Sequence, residues 1–503
     1  MSRENLGPQE DDPLLSAGER ADSPIGSKPR YIAGRWQAKS PTTIVLLVAL
    51  IKFAVTASGM LLLVPIYRLI EDAICHVYYG DESSDPIDEM QCKVDAVQSR
   101  LAYLLGWVNL LNSVITFLLA YPFGMLADRI GRKPMALMSY FGLSLSFAFG
   151  PLMLSAYNES FRRNPYLIMT GSLFLVLGGG VQVLLATLYA IAADVSDEKD
   201  QASSFLYLTF GATAGGLIGP VLAGILMKRY GPWVPIIVVL AITPFLFCLF
   251  FFIPETLAKH GKSSDDDAEE GGRAPTVRQQ VAEGLRDLAA SLTMLKNPSI
   301  LLVLVTFLVQ NARFAAYVSL LAQYMSKHFL WRLADTSLLL SPLGLLNLAL
   351  LAVLPTVSKM LMSRMGYTTF GKDLLLTQVS TVLIVIGAFI EAFSHNVVLF
   401  VFGLVIGTLG AADSPLARAT VSHYVEPQYI SRLYGLISMV EILGSFIGSP
   451  VLAWLFDKGL QHKGIWIGLP YFYIGVLCCI SLVALMFVRP PRKDAARSHV
   501  HSM

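Results

Sequence analysis

An all-α membrane protein of twelve transmembrane helices, arranged as two pseudo-symmetric halves of six, is the fold this chain predicts. Three observations carry that expectation. Of 503 residues, 54% are hydrophobic and 15% charged, against roughly 25% charged in a soluble domain. The apolar residues fall in blocks long enough to cross a bilayer, which takes about 20 residues per helix. A polar, acidic stretch, Ser263 to Gly272, divides those blocks six and six. In lipid every backbone polar group must be satisfied internally, and open blocks of this length satisfy theirs as helices.

The elements follow in order. Residues 1–41 are polar, rich in Pro, Gly and Ser, and show no cleavable leader; they read as a disordered tail. The apolar segments cover 42–66, 101–123, 134–156, 166–193, 204–227 and 233–253, and then 299–325, 336–362, 374–394, 397–422, 434–456 and 466–488. The first six-helix half therefore occupies 42–256 and the second 299–488, with a tail at 489–503. The linker at 257–298 opens with the acidic run. It continues with Val277, Val281, Leu285, Leu288, Leu292 and Leu295 at helical spacing. That pattern suits an amphipathic helix on a membrane surface, or a simple linker.

Lys and Arg set the orientation. The side carrying both tails holds 24, counting Lys359 near the end of segment 8, the opposite side holds 11, and 3 lie deeper within segments, which accounts for all 38. The bias places both termini in the cytoplasm. A net charge of +2 gives no reason to expect a nucleic-acid partner. The expected partners are the lipid bilayer and a small-molecule solute, and the expected state is a monomer. The chain has no GxxxxGK[ST] loop for nucleotide and no HExxH metal motif. Neither an ATP-driven pump nor an intramembrane enzyme is expected.

The halves share sequence. Pro220-Val221-Leu222-Ala223 and Pro450-Val451-Leu452-Ala453 are identical at an offset of 230, in segments 5 and 11. Those positions are equivalent in a six-plus-six repeat.

Charges inside apolar segments are functional candidates, because burying one costs at least ~2.5 kcal/mol. Lys52 lies about mid-depth in segment 1. Arg313 lies past the middle of segment 7, beside Gln310 and Asn311. Asp413 precedes Ser414-Pro415, where segment 10 is open to a break. Arg418 and Glu441 stand at similar depth on either side of the 10–11 turn. They suit an ion pair that is either a static brace or a proton site, since a departing cation lets a buried carboxylate protonate. Glu441 and Asp413 are the proton-coupling candidates. Lys52, Arg313, Arg418, Asn311 and Gln310 are the cavity candidates. Three cations against two carboxylates favour an anionic solute.

Gly124 to Lys133, GMLADRIGRK, joins segments 2 and 3. It resembles the signature loop of the major facilitator superfamily of transporters. The resemblance implies the major facilitator fold, alternating access, no cofactor beyond a coupling proton, and a conformational latch at Gly124, Asp128, Gly131 and Arg132. An ordinary positive-inside loop is the plainer reading. GGLIGPVLAG, Gly215 to Gly224, resembles the glycine-proline motif of drug:proton antiporters in that superfamily. Gly215, Gly219, Pro220 and Gly224 then bear on antiport, or serve helix packing alone. Val425 to Ser445, the Arg in segment 10 and the run RLIEDAICHVYYG resemble fungal members distantly similar to proton-coupled folate transporters. The resemblance implies proton-coupled movement of a small organic solute. Export of a secondary metabolite, import of a nutrient, and a non-transporting sensor on the same scaffold stay open.

Cys75 and Cys92 fall in the first outward loop, about 67–100, as a disulfide or two free thiols. Asn158-Glu159-Ser160 is a glycosylation sequon. Glu10, Leu14 and Leu15 resemble an acidic dileucine sorting signal, which favours a vacuolar membrane; otherwise the plasma membrane is expected.

Overall fold

The computed structural model describes residues 34–81, 83, 85–156, 164–196, 201–257, 293–425 and 430–491. The sorting signal at Glu10, Leu14 and Leu15, the sequon at Asn158 and the amphipathic stretch of the linker up to Leu292 lie outside that set. Among the described residues, twelve helices are long and apolar enough to cross a membrane. The first half holds α1 (Pro41–Tyr79), α2 (Asp95–Ile130), α3 (Arg132–Ala156), α4 (Pro165–Val195), α5 (Gln201–Tyr230) and α6 (Trp233–Phe251). The second holds α7 (Pro298–Val318), α8 (Leu333–Met365), α9 (Thr369–Ala392), α10 (Val397–Ser422), α11 (Ile430–His462) and α12 (Gly464–Met486). The bundle has a terminal face, where α1 begins and α12 ends, and an opposite far face.

Two boundaries correct the sequence reading. Helix α1 runs 13 residues past the expected end at 66, to Tyr79, so Cys75 lies in its last turns and not in a loop. The polar run stays helical because its charges meet each other. Arg68 reaches Glu71 at 3.4 Å and Asp72 at 3.6 Å, one turn on. Glu71, 1% exposed, also takes Lys93 Nζ at 2.6 Å. Cys75 is disulfide-bonded to Cys92, which holds the segment carrying Lys93 against the end of α1. The second correction concerns GMLADRIGRK, which is helical except at Gly131. There φ is +109°, α2 stops and α3 starts at Arg132.

The repeat is visible in the packing. Within the first half, α5 lies backbone-to-backbone on α1. A Cβ at Gly211, Gly215 or Gly219 would come within 2.6, 2.5 and 2.7 Å of the carbonyl oxygens of Ala49, Phe53 and Ala57. In the second half α11 lies on α7 in the same way, with Gly444 over Leu308 and Gly448 over Ala312. Small residues let membrane helices approach this closely. The shared Pro-Val-Leu-Ala motif then serves both seams between the halves. On α5, Pro220 O accepts from Ser337 Oγ of α8 at 2.8 Å, and Gly224 abuts Ala334. On α11, Pro450 and Ala453 abut Gly106 of α2.

Helices α4 and α10 are both interrupted. Gly179 and Gly180 take φ of +74° and +77° between the two parts of α4. Gly410 to Ala412 separate Val397–Leu409 from Asp413–Ser422 in α10. Gly180 and Gly410 correspond under the offset of 230.

Polar contacts close the far face across the seam. Glu89 Oε1 accepts from Leu333 N at 2.7 Å, and Lys327 reaches Asp95 at 2.6 Å. Lys327 Nζ also donates to the Lys93 carbonyl. Tyr103 donates to Asp457 at 3.1 Å, and Lys228 pairs with Asp335 at 2.9 Å.

Burial separates these pairs in energy. Lys93→Met leaves the Glu71 carboxylate buried without its nearest cation and is expected to cost about 3–5 kcal/mol. Asp335→Asn in the exposed Lys228 pair is expected to cost less than about 1 kcal/mol. Thermal unfolding of the purified variants in detergent orders the two; equal shifts would show that burial does not govern the Glu71 cluster.

Candidate functional site

A cavity of about 1200 Å³, counting its open mouth, lies between the halves. Its walls differ. From α1 and α5 it receives Met60, Leu63, Gly216 and Pro220, which bring no polar side chain. The second half supplies the polar groups: Gln310, Arg313 and Tyr317 on α7, Asn347 on α8, Glu391 on α9 and Thr408 on α10. A largely apolar cavity with a few convergent polar groups is the usual form of a small-molecule site.

Arg313 lines this cavity and pairs with Asp413 at 3.4 Å. The break in α10 makes Asp413 the first residue of its second part, 4% exposed, with Oδ1 lacking a hydrogen-bond partner. Arg418 and Glu441 are ion-paired across α10 and α11, and the guanidinium lies over the Phe307 ring, 5.4 Å from its centroid. Asn311 donates to the Glu441 carbonyl at 2.7 Å, so α7 braces the same turn of α11. Gln310 faces the cavity.

Lys52 stands apart from this group. It is 4% exposed, its Nζ donates to Tyr189 Oη at 2.5 Å, and it sits 3.9 Å from that ring's centroid. The Tyr189 hydroxyl is in turn 3.3 Å from Thr209 Oγ1. Among the described residues Lys52 has no carboxylate partner, and the aromatic face takes that place. Lys52, Arg418, Asn311, Asp413 and Glu441 lie outside the cavity lining, which leaves Gln310 and Arg313 as the expected residues that border it.

The signature loop is held from within its own half. Glu255, just past α6, accepts from Arg132 N at 2.8 Å and Lys133 N at 3.1 Å, capping the start of α3. Gly131 makes room for it, since a Cβ there would meet Glu255 Oε2 at 2.4 Å. Arg132 Nε also approaches Asp194 Oδ2 at 3.4 Å. The side chain of Asp128 lies outside the described set. A Cβ at Gly124 would meet nothing within 4 Å, so this glycine allows no close helix approach in this conformation. In α2 that role belongs to Gly106 at the far face, where the halves touch.

Glu391 is the site residue the sequence reading passed over. It is fully buried, accepts from the Tyr317 hydroxyl at 2.7 Å, and leaves Oε1 without a partner. A π-helical turn at Ala316–Leu320 carries Tyr317; such turns are frequent at functional sites. Gly403 and Gly407 of α10 leave room for the carboxylate, and a Cβ at Gly403 would meet Glu391 Cγ at 2.9 Å. The available signal was one acid among apolar neighbours, Phe389-Ile390-Glu391-Ala392-Phe393. It stands near the end of the apolar segment 374–394.

The paired halves, the seams at one face and the cavity between them are the architecture of a membrane transporter. The chain belongs to the Major Facilitator Superfamily, whose family model matches residues 100–372 and 370–502. It is therefore a multi-pass membrane protein that moves solutes and not an enzyme. It is 28% identical over 498 residues to the MFS efflux pump atnC of Emericella nidulans, covering 96% of this chain and 94% of that one. It is 27% identical over 459 residues to the efflux pump ustT of Aspergillus flavus, covering 88% of each. Among solved structures, a D-xylose-proton symporter superposes with a TM-score of 0.62 at 12% identity, covering 89% of this chain and 97% of that one. The human organic anion transporter MFSD10 superposes at 0.56 with 16% identity, covering 89% and 100%.

The glycine gap beside Glu391 gives a direct expectation. Gly403→Ala overpacks the α9–α10 contact and is expected to cost about 1–3 kcal/mol. Gly124→Ala, facing open space, is expected to change unfolding in detergent by less than about 0.5 kcal/mol. Matching losses in the two variants would contradict the packing described.

Proposed function

We propose that the chain exports a small organic solute, such as a fungal secondary metabolite, in exchange for protons. The carrying observation is a cavity between the halves whose buried ionisable groups sit on one wall. The relatives named efflux pumps support the direction over the alternatives of nutrient import and a sensor without transport. Glu441 and Asp413 are the proposed proton carriers. Each is held by an arginine, and a carboxylate takes up a proton when its cation leaves or is captured by solute. Protons are the only cofactor in this reading. The static reading of the Arg418–Glu441 pair differs from it in one respect: a brace leaves coupling untouched when Glu441 is neutralised.

The anionic character of the solute has one support in the cavity, Arg313. Lys52 and Arg418 lie off the lining, on Tyr189 and Glu441. With Glu391 included, three carboxylates within the helices match the three cations. The far-face contacts close that face, which supports access to the cavity from the terminal face. The excess of Lys and Arg there supports cytoplasmic termini and loading from the cytoplasm. The plasma membrane is the proposed site, with the vacuolar membrane as the alternative, and a monomer in the bilayer is the proposed unit.

Proteoliposomes with an imposed pH gradient test the reading against a panel of organic anions and neutral metabolites. Accumulation of a solute, abolished by a protonophore, is the expected result. Glu441→Gln or Asp413→Asn is expected to reduce pH-driven accumulation at least tenfold while leaving downhill exchange; intact accumulation in both would remove them as proton carriers. Arg313→Gln is expected to weaken binding of anionic solutes, and unchanged binding would remove the anion argument.

A further inference from the structure

Three acceptor atoms around the cavity have no hydrogen-bond partner. They are Gln310 Oε1 on α7, Asn347 Oδ1 on α8 and Glu391 Oε1 on α9. Buried polar atoms are rarely left unsatisfied, because each costs about 1–3 kcal/mol, and an exception calls for a missing partner. These three come from three helices and border one space.

The charges around them decide the sign. Arg313, the cation of the cavity lining, is already held by Asp413. Glu391 receives one neutral donor, the Tyr317 hydroxyl, and among the described residues no cation lies within ion-pair distance of it. When Glu391 is ionised, its second oxygen is the strongest open acceptor in the cavity, because hydrogen bonds to an ionised group are roughly twice as strong as neutral ones. Gly403 and Gly407 keep the space beside it free.

We propose that Glu391 is a specificity-determining residue of the transport cavity, and that with Gln310 and Asn347 it selects an amphipathic solute presenting N–H or O–H donors, an ammonium group most strongly. This rests on the cavity being the solute site of the exporter proposed above. The apolar wall from α1 and α5 takes the hydrocarbon part, and the acceptor wall takes the donors. A solute without donors leaves all three acceptors unpaired, and a site built to hydrogen-bond a donor rejects the analogue that lacks it.

The test uses three probes of similar shape: 2-phenylethylammonium, its N,N,N-trimethyl derivative and 3-phenylpropanoate. Binding is measured by calorimetry on the full chain in lipid nanodiscs. Wild type is expected to bind the primary ammonium at least tenfold more tightly than either other probe. Glu391→Gln, which keeps the shape and removes the charge, is expected to abolish that preference, and thermal unfolding confirms that the variant is folded. Equal binding of the two ammonium probes by wild type would overturn the inference, as would tightest binding of the propanoate or a preference that survives Glu391→Gln. Transport is read separately in proteoliposomes. The donor preference without proton-driven movement would leave Glu391 in its role and remove proton coupling; proton-driven movement without the preference would do the reverse.

Discussion

A charge inside a bilayer must find a partner, and that constraint organises this protein. Hydrocarbon offers no water to solvate an ion, so each buried charged side chain either meets its complement or costs several kcal/mol. Arg313 meets Asp413, Arg418 meets Glu441, Lys93 meets Glu71, and Lys52 meets the face and hydroxyl of Tyr189. The Glu71–Lys93 pair ties the segment before α2 to the end of α1, and each of the others ties one helix to another. Together they set how the helices are rotated about their axes, which apolar contacts alone leave loosely determined. Glu391 is the instructive exception, half satisfied by Tyr317 and half open.

Close backbone packing does the complementary work. The glycines of α5 lower that helix onto the carbonyls of α1, and those of α11 lower it onto α7. Each half is thereby a stiff unit. Contacts between halves combine close packing with polar pairs. They pass through Gly106 and Gly224 and through polar contacts at the far face, several of them exposed. Rigid units joined at a partly solvated seam can separate there without unfolding, which is what alternating access requires. The interruptions of α4 and α10 stand at corresponding places, so whatever freedom they give is shared by both halves.

Much of the fold was legible in the sequence. Block length and the acidic divider announce twelve spans in two sets, and the Pro-Val-Leu-Ala repeat points to corresponding helices. The break ahead of Ser414-Pro415 and the meeting of Arg418 with Glu441 were also readable, because both follow from local chemistry and from counting residues away from a turn. The site was less legible. Gln310 and Arg313 border the cavity as expected, while Lys52, at a similar depth and equally apolar in setting, points to Tyr189 instead.

The sequence by itself determined what must be buried in lipid, how many times the chain crosses, and which residues carry charge into the membrane. Only the tertiary structure decided where those charges point. Hydropathy records that a segment is apolar but not how far it turns about its axis or which neighbour it faces. A rotation of a few tens of degrees separates a residue that lines the cavity from one that braces a helix pair. Glu391 enters the site through the π turn that brings Tyr317 to it and the glycines of α10 that leave it room, and both are properties of packed helices. The extension of α1 past residue 66 was hidden for the same reason. Its polar residues read as a loop until Lys93 and Cys92, beyond the end of the helix, are folded back to meet them.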